Sequence, residues 1–275
     1  LDHPGVLVTR NNIASLLGES GQIAQAMIEF EALLGDQQQI LGLDHPDAFI
    51  TRNNIAFLLG ESGQSTQALI RFEALLQDRQ RVMGPDHLDV FNTRNNIASL
   101  LGESGQTPQA LTQFKALLDD QQRVLGPEHP HILNTHNQIA SLLARTGEIS
   151  QALKQFEVLL EKQQQVLGPD HPLVLDTHNH IASLLARSGE TLQALTQFEV
   201  LLENQRRVLG PEHPHVLNTH NHIACLLAIS GDIPKALTHF DVLLEYQQRV
   251  LGPEHADTYK TNDLINLLRS RDNPS

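Results

Sequence analysis

The strongest constraint on this chain is a dipeptide of an acidic residue followed by histidine, which returns at a constant step of 42 residues. A threonine column and an isoleucine column keep the same step, and no insertion or deletion interrupts it. A fixed period of this size predicts an array of units in which each unit packs only on its neighbours. The histidines of the dipeptide are His3, His45, His87, His129, His171, His213 and His255.

Proline and glycine divide each unit into two predicted helices. Pro4 follows the first dipeptide, and proline is well tolerated at the first position of a helix, where its missing N–H group is not needed. Gly21 and Gly42 supply the permissive backbone that ends each helix. The first helix carries apolar residues such as Leu7 on one side, and the second carries Phe30 on its own apolar side.

Neither helix can bury its apolar side alone, so successive helix pairs must share one core. The sequence therefore predicts an all-α protein, an α-solenoid of antiparallel helix pairs with six full repeats and a terminal helix. We expect one continuous array, which begins inside a linker motif and is predicted to be a segment of a longer polypeptide. Its units are residues 1–42, 43–84, 85–126, 127–168, 169–210, 211–252 and a partial unit 253–275.

The unit resembles the tetratricopeptide repeat, through the columns that begin at Ile13-Ala14, Leu17, Gly21, Ala26, Phe30 and Leu33. The linker VLGPEHP and the block TRNNIASLLGESGQ resemble the long repeats of kinesin light chains and of the repeat tails of NACHT and NB-ARC signalling ATPases. The resemblance covers essentially the whole chain and implies a superhelix with a groove lined by the first helices. The chain departs from the family at an early tryptophan, whose column holds Arg10, Arg52, Arg94, His136, His178 and His220.

Composition narrows the classes of partner. A net charge of −13 and a pI near 5.5 argue against nucleic acid and against an anionic membrane surface. No apolar run approaches the length of a membrane span. Cys225 is the only cysteine, which excludes a disulfide framework and favours a cytoplasmic location.

The residue patterns of enzymes and metal sites do not occur in this sequence. The His column of repeats four to six lies on helices whose axes are expected about 8–10 Å apart, whereas zinc needs each nitrogen within about 2.1 Å. No phosphate-binding loop, nucleophile elbow or metalloprotease motif is present. Cys225 occupies a column of serines and reads as a small-residue variant. We therefore expect no enzymatic activity, no cofactor and no metal ion.

An asparagine column marks the candidate binding residues. A primary amide both donates and accepts hydrogen bonds, so a row of amides can hold the backbone of an extended peptide. In the resembling family, asparagines at such positions of the first helix hold peptide ligands. The alternative is that these amides bridge neighbouring helices and stiffen the stack. The column consists of Asn11, Asn53, Asn95, Asn137, Asn179 and Asn221.

The columns beside the asparagines change character halfway along the chain. Repeats one to three carry Glu19, Glu61 and Glu103, and repeats four and five carry Arg145 and Arg187 at the same position. Phe57 stands alone in the serine column and offers an apolar contact. Duplication from two parental units, followed by drift of the charges, is the alternative explanation. The second set of candidate groove residues is Gln138, His180, His222, Arg145 and Arg187.

The sequence thus predicts a non-enzymatic module of a larger cytosolic protein that binds a protein or an extended, acidic peptide. A rigid spacer or oligomerisation scaffold with no groove ligand is the alternative. Variation between repeats that is concentrated in the groove favours the binding module. A consensus-designed array is a third possibility, against which Leu88, Cys225 and Ala256 argue because they break their columns.

Overall fold

The structure is a computed structural model that describes residues 4–272, and within this range the chain forms thirteen α-helices and no strand. Each odd-numbered helix from α1 to α11 is followed by a second helix of the same repeat, which confirms the predicted all-α solenoid of helix pairs. His3 lies outside the described residues. The helices are α1 (Pro4–Glu19), α2 (Ile23–Ile40), α3 (Pro46–Glu61), α4 (Ser65–Met83), α5 (Leu88–Glu103), α6 (Thr107–Leu125), α7 (Pro130–Arg145), α8 (Ile149–Leu167), α9 (Pro172–Arg187), α10 (Thr191–Leu209), α11 (Pro214–Ser230), α12 (Ile233–Val250) and α13 (Ala256–Asp272).

The linker histidines cap the first helix of each following repeat. At the start of α9, Nδ1 of His171 accepts a hydrogen bond of 3.2 Å from the backbone N–H of Leu173. This bond satisfies one of the N–H groups that a helix leaves without a partner in its first turn. These linker histidines are therefore helix caps. The same contact occurs at His45, His87, His129, His171, His213 and His255.

Glycines end the second helices. Gly168 follows α8 with a φ of 85° and a ψ of 158°, and Gly210 follows α10 with nearly the same angles. A side chain at either position would be strained, because this region of backbone space is open essentially to glycine alone. The turn that these glycines make leads the chain into the next linker.

The chain divides into two compact units, Leu1–Leu142 and Leu143–Ser275. In each unit the predicted phenylalanine column forms the centre of the core. Every phenylalanine of the column is at most 2% exposed, which confirms the face assigned to the second helices. The first unit buries Phe30, Phe72 and Phe114, and the second buries Phe156, Phe198 and Phe240.

A buried threonine–glutamine contact joins successive repeats at three places, through Thr135, Thr177 and Thr219. In the second unit the hydroxyl of Thr177 on α9 donates to Oε1 of Gln163 on α8, over 2.7 Å. Thr219 makes the same bond to Gln205. Because a buried amide without a partner is costly, this contact fixes the register of neighbouring repeats. The threonine and glutamine columns are visible in the sequence, but their pairing emerges only from the packing.

Arg79 replaces glutamine in this buried column. It is 5% exposed, and its guanidinium donates to the hydroxyl of Thr93 over 2.7 Å and to the backbone carbonyl of Asp89 over 3.2 Å. Burial lowers the pKa of Arg79, because the charged form loses its hydration there. Its Nε atom is buried without a hydrogen-bond partner among the described residues. Arg79 thus replaces the glutamine of this column with a buried guanidinium that is only partly hydrogen-bonded.

Replacing Arg79 with the glutamine of the other repeats is expected to stabilise the protein. The Arg79→Gln variant removes a buried charge and permits the bond that Gln163 makes to Thr177. We expect the free energy of unfolding to rise by roughly 1 kcal/mol in urea titrations, in line with the cost of an unsatisfied buried group. The control is Arg71→Gln, an exposed arginine of the same helix, which is expected to change stability by less than about 0.5 kcal/mol. A destabilised Arg79→Gln protein would contradict this account.

Candidate binding face

The candidate groove residues lie on one side of the first helices, which we call the helix A face. It is defined by the asparagine column together with the columns of Ser15 and Glu19, and the first helices are α1, α3, α5, α7, α9 and α11. All six asparagines are half-buried, so each residue is partly accessible to solvent and partly packed against the protein. Such a position suits both predicted roles, contact with a ligand and contact with the next helix.

In the first unit two asparagines of the column bridge neighbouring helices. Nδ2 of Asn54 donates to Oδ1 of Asn11 over 3.4 Å, and Nδ2 of Asn96 donates to Oδ1 of Asn53 over 3.2 Å. These bonds are the contacts expected if the asparagine column bridges neighbouring helices and stiffens the stack. The row of bridges stops at Asn95, whose Oδ1 is buried without a hydrogen-bond partner among the described residues. The bridges use only the oxygens of Asn11 and Asn53, and each amide also carries two N–H donors.

In the second unit two candidate residues contribute to packing between repeats. The ring of His180 on α9 stacks on Phe156 of α8, with ring centroids 5.1 Å apart. His222 stacks in the same way on Phe198, with centroids 5.0 Å apart. Burial lowers the pKa of both imidazoles. Both histidines therefore cover core phenylalanines and remain neutral near pH 7. Gln138, the remaining candidate of this column, is half-buried in α7.

Arg145 and Arg187 are the last residues of α7 and α9, and both are exposed. The guanidinium of Arg187 donates a 3.1 Å hydrogen bond to the backbone carbonyl of Ala144, near the end of the preceding first helix. The carbonyl end of a helix carries partial negative charge, which a cation at this position stabilises. Arg187 thus contributes to the helix end and still offers donors to solvent.

Three carboxylates occupy the equivalent position in the first unit. Glu19, Glu61 and Glu103 are the last residues of α1, α3 and α5, and all three are exposed. Among the described residues none of them forms a salt bridge. An anion at the carbonyl end of a helix is unfavourable for the same reason that a cation is favourable. This placement therefore costs stability in the first unit.

Phe57 separates two cavities on the helix A face of the first unit. Its side chain is 55% exposed. The larger cavity has a volume of about 370 Å³ and is lined by Phe57, Glu19 and Glu61, with Ile23 and Phe30 at its apolar side. A smaller cavity of about 60 Å³ lies on the other side of Phe57 and is lined by Glu61, Ser99 and Glu103 among others.

Glycine shapes the floor of both cavities. A Cβ atom at Gly18 would lie 3.1 Å from Cδ2 of Leu58, and one at Gly60 would lie 3.3 Å from Cδ1 of Leu100. These glycines therefore let the leucine of the next first helix approach the backbone closely. Alanine occupies the position in the second unit, at Ala144, Ala186 and Ala228.

A third cavity, which the sequence did not reveal, lies in the second unit. It has a volume of about 450 Å³ and is lined by residues of α11, α12 and α13, including Asn221, Tyr246 and Lys260. Of the predicted groove residues only Asn221 takes part. Tyr246 breaks its column as the only aromatic residue, and Lys260 breaks its column as the only basic one. That break is the signal that could have drawn attention to this end of the array.

The column that lacks the family tryptophan forms ion pairs in the first unit. The guanidinium of Arg94 on α5 contacts Asp120 of α6 over 2.8 Å, and this contact holds the pKa of Asp120 below its usual range. Arg10 pairs with Asp36 in the same way. The arginine and aspartate columns both change at repeat four, a paired substitution that is visible in the sequence and that sequence analysis overlooked.

At the last repeat of the second unit this column forms a histidine pair. Nδ1 of His220 on α11 lies 2.9 Å from Nδ1 of His239 on α12. Burial, and then the neighbouring His239 and Arg206, lower the pKa of His220 to about 4. The pair is therefore neutral near pH 7. Burial also raises the pKa of the Cys225 thiol, which keeps it protonated and a poor nucleophile.

The described residues hold neither a cluster of metal ligands nor a helix suited to cross a membrane. They contain no group of three or more histidine, cysteine, aspartate or glutamate side chains placed to hold a metal ion. Among residues 4–272, no helix combines the length and the apolar character that crossing a membrane requires.

Comparison with protein families identifies the repeat. A family model described as tetratricopeptide repeat matches residues 47–119, 89–165, 132–206 and 173–249. A second model with the same description matches residues 6–47. These segments together span most of the chain. No curated protein matches the sequence as a relative.

Solved structures share the fold at low sequence identity. The nearly identical TPR-like repeats assigned to a kinesin light chain of Podosopora anserina are 20% identical, with a TM-score of 0.63 over 75% of this chain and 98% of that one. BtubC from P. vanneervenii is 17% identical, with a TM-score of 0.56 over 80% and 83% of the two chains. The apo form of RapI is 14% identical, with a TM-score of 0.65 over 96% and 82%. At these identities the likeness concerns the fold alone.

Proposed function

Because the chain belongs to the tetratricopeptide repeat family, we propose that it is the recognition segment of a larger cytosolic protein and binds an extended peptide on its helix A face. Repeats of this family form protein–protein interaction modules and are generally not enzymes. The cytosolic location rests on the single free cysteine.

One observation carries the proposal, the variation between repeats at the ends of the first helices. Glutamate stands at this position in the first unit and arginine at the ends of α7 and α9 in the second, while the phenylalanine column of the core is the same in all six repeats. A spacer needs only the core and the contacts between repeats. A surface that has been selected to bind a ligand is expected to vary between repeats at the exposed positions of one face.

The second unit offers its ligand a row of amides and two cations. Asn179 and Asn221 are half-buried on the helix A face and provide donors and acceptors for a peptide backbone. The exposed guanidinium groups of Arg145 and Arg187 select carboxylates through charge-assisted, bidentate hydrogen bonds. Neighbouring helices lie about 8–10 Å apart, and an extended chain rises about 3.3 Å per residue. We therefore propose a ligand with acidic residues about three positions apart.

Charge reversal at both arginines tests the proposal. Arg145→Glu combined with Arg187→Glu is expected to weaken binding of an acidic peptide at least about tenfold, since each charge-assisted bond contributes roughly 1.5–3 kcal/mol. Fluorescence anisotropy with a peptide taken from a library screen on the wild type provides the measurement. Loss of the Arg187 bond to Ala144 makes a small loss of stability part of the expected result.

The matched control reverses two lysines of the same unit on a second helix. Lys154→Glu combined with Lys162→Glu changes the net charge by the same amount, but both residues lie on α8, away from the helix A face. If both double variants weaken binding equally, the effect is one of net charge and the assignment to the helix A face is wrong.

A rigid spacer is the second candidate, and a specific observation favours it. The amides of Asn11 and Asn53 already bridge neighbouring helices through Asn54 and Asn96. The two functions differ in what they demand of the asparagine column. A spacer needs the bridges for stability, whereas a binding module loses affinity when an asparagine that forms no bridge is removed.

A further inference from the structure

The first unit combines features that the acidic-ligand proposal for the second unit does not use. Phe57 is the only aromatic residue in its column, where Ser15 and Ser99 stand in the neighbouring repeats of this unit. More than half of its side chain is exposed, and a cavity opens on each side of it. A large exposed aromatic side chain beside open cavities is an anchor of the kind that dominates binding at protein interfaces.

The charge around Phe57 has a single sign. Glu19 and Glu61 line the larger cavity, and Glu61 and Glu103 line the smaller one. No arginine or lysine lines either cavity. A ligand that enters beside Phe57 therefore meets carboxylates on both sides, and a cation is the complementary charge.

The position of these carboxylates at the ends of helices supports a role in binding a ligand. Each ends a first helix, where the partial charge of the carbonyl groups opposes an anion. The corresponding arginines of the second unit stabilise their helix ends instead. Three repeats of the first unit thus keep a charge that is unfavourable in the unliganded protein, and a bound cation would neutralise it.

We propose that Phe57 and the carboxylates of Glu19, Glu61 and Glu103 form a site for a basic, extended peptide segment with arginine at about every third residue. This inference rests on the proposed function, because it treats the helix A face as a ligand surface. A guanidinium group stacks on the face of Phe57 and bonds a neighbouring carboxylate in the bidentate manner. An apolar side chain of the peptide enters the larger cavity beside Ile23 and Phe30.

The spacing of the site specifies a peptide rather than a compact cation. The three carboxylates stand on successive first helices, about 8–10 Å from helix to helix. Arginines at every third position of an extended chain repeat at about the same distance. The larger cavity, of about 370 Å³, has an apolar side, which a ligand with only amine groups does not satisfy.

The test uses the full chain and a pair of labelled peptides. One peptide has arginine at every third position with leucine and alanine between, and the other has glutamate in place of arginine. The variants are Phe57→Ser, which restores the residue of the neighbouring repeats, and the triple variant Glu19→Gln, Glu61→Gln, Glu103→Gln. Each is expected to weaken binding of the arginine peptide at least about tenfold in anisotropy titrations, and to leave the glutamate peptide unaffected.

Two control variants make the same kinds of substitution outside the proposed site. Tyr259→Ser removes an aromatic side chain of similar exposure (48%) from α13. Glu157→Gln, Glu161→Gln, Glu203→Gln removes the same charge from second helices of the second unit. Both controls are expected to bind the arginine peptide like the wild type. The triple glutamine variant at the helix ends is expected to melt at the same temperature as the wild type or higher, so weak binding there is not a sign of misfolding.

Each remaining outcome is decisive. If the arginine peptide binds Phe57→Ser, the triple variant at the helix ends and the triple control variant equally well, the assignment of the basic-peptide site is wrong. The acidic-ligand proposal is then tested separately by the glutamate peptide. If the glutamate peptide binds and the arginine peptide does not, only this inference fails. If neither binds, the proposed function fails with it. Displacement of the arginine peptide by an equal concentration of a linear triamine would overturn the assignment to a peptide.

Discussion

Truncating Phe156 to alanine is expected to lower the free energy of unfolding by roughly 3–5 kcal/mol, the range observed for large-to-small changes in packed cores. Phe156 is 1% exposed, and the ring of His180 stacks on it from the next repeat. The substitution therefore leaves a cavity and removes a contact between repeats. Because units in such arrays stabilise one another through their interfaces, the loss is expected to extend to the neighbouring repeats.

The matched comparison is Phe57→Ala. Phe57 stands on a first helix and is 55% exposed, so its truncation is expected to change stability by less than about 1 kcal/mol. Urea titration followed by circular dichroism at 222 nm measures both variants. Equal effects at Phe156 and Phe57 would show that the face assigned to the core is wrong.

Acidification is expected to destabilise the protein through the pair formed by His220 and His239. Burial, His239 and Arg206 lower the pKa of His220 to about 4, from an ordinary value of 6.5. Burial also lowers the pKa of His239, against the opposing effect of Glu199. Between these pH values the unfolded chain binds protons that the folded protein does not, so stability rises with pH in this window. The contribution of this pair to the free energy of unfolding is complete above about pH 6.5 and is lost as the pH falls toward 4.

The magnitude follows from the size of the shift. A difference of one pKa unit corresponds to about 1.4 kcal/mol, so the His220 site contributes at most about 3 kcal/mol between pH 7 and pH 4. The contribution is smaller if the two rings open to water before the chain unfolds. The double variant His220→Gln with His239→Gln is expected to flatten this part of the pH profile.

Urea titrations at a series of pH values between 7.5 and 4.5 check this result. Thr238→Gln, an exposed neighbour without a titratable group, is the control and is expected to keep the wild-type profile. Part of the slope remains in the double variant, because burial also lowers the pKa of His178, His180 and His222. A double variant with the full wild-type slope would show that the histidine pair does not govern the acid response.

Much of the fold could be predicted from the sequence because its signals are local and repeated. Pro46 and Gly168 act through their own backbone geometry, which limits where a helix starts or ends irrespective of its neighbours. The phenylalanine column marks the buried side of each second helix for a similar reason, since its period matches that of the helix. Each repeat presents the same signals again, so a single repeat suffices to interpret the others.

The contacts between helices were harder to predict. His220 and His239 are 19 residues apart and sit on different helices, so their approach depends on the crossing of those helices. Arg79 stands in a column of glutamines, and its burial follows from the hydrogen bond that its guanidinium donates to Thr93 of the next repeat. The cavities beside Phe57 depend on Gly18 and Gly60, whose missing side chains affect the position of leucines one repeat away.

The candidate site was predicted in part. The sequence identified the asparagine column and the change from glutamate to arginine, because both are properties of single positions. It did not indicate that His180 and His222 cover core phenylalanines, since a stacking partner on the preceding helix is invisible in a column. It also left the amide bridges as one of two alternatives, and the bridges occur only at Asn11 and Asn53 among the described asparagines of the column.

Selection of a random peptide display library on the full chain most directly tests the claim that the helix A face binds peptides. The account predicts enriched sequences with charged residues about three positions apart. Peptides that carry acidic residues are expected to bind the double variant Asn179→Ala, Asn221→Ala at least about tenfold more weakly than the wild type. They are expected to bind the control variant Gln165→Ala, Gln193→Ala, which is changed on second helices, as tightly as the wild type. A library without enrichment, or one whose selected peptides bind both double variants equally, would contradict the account and favour a spacer.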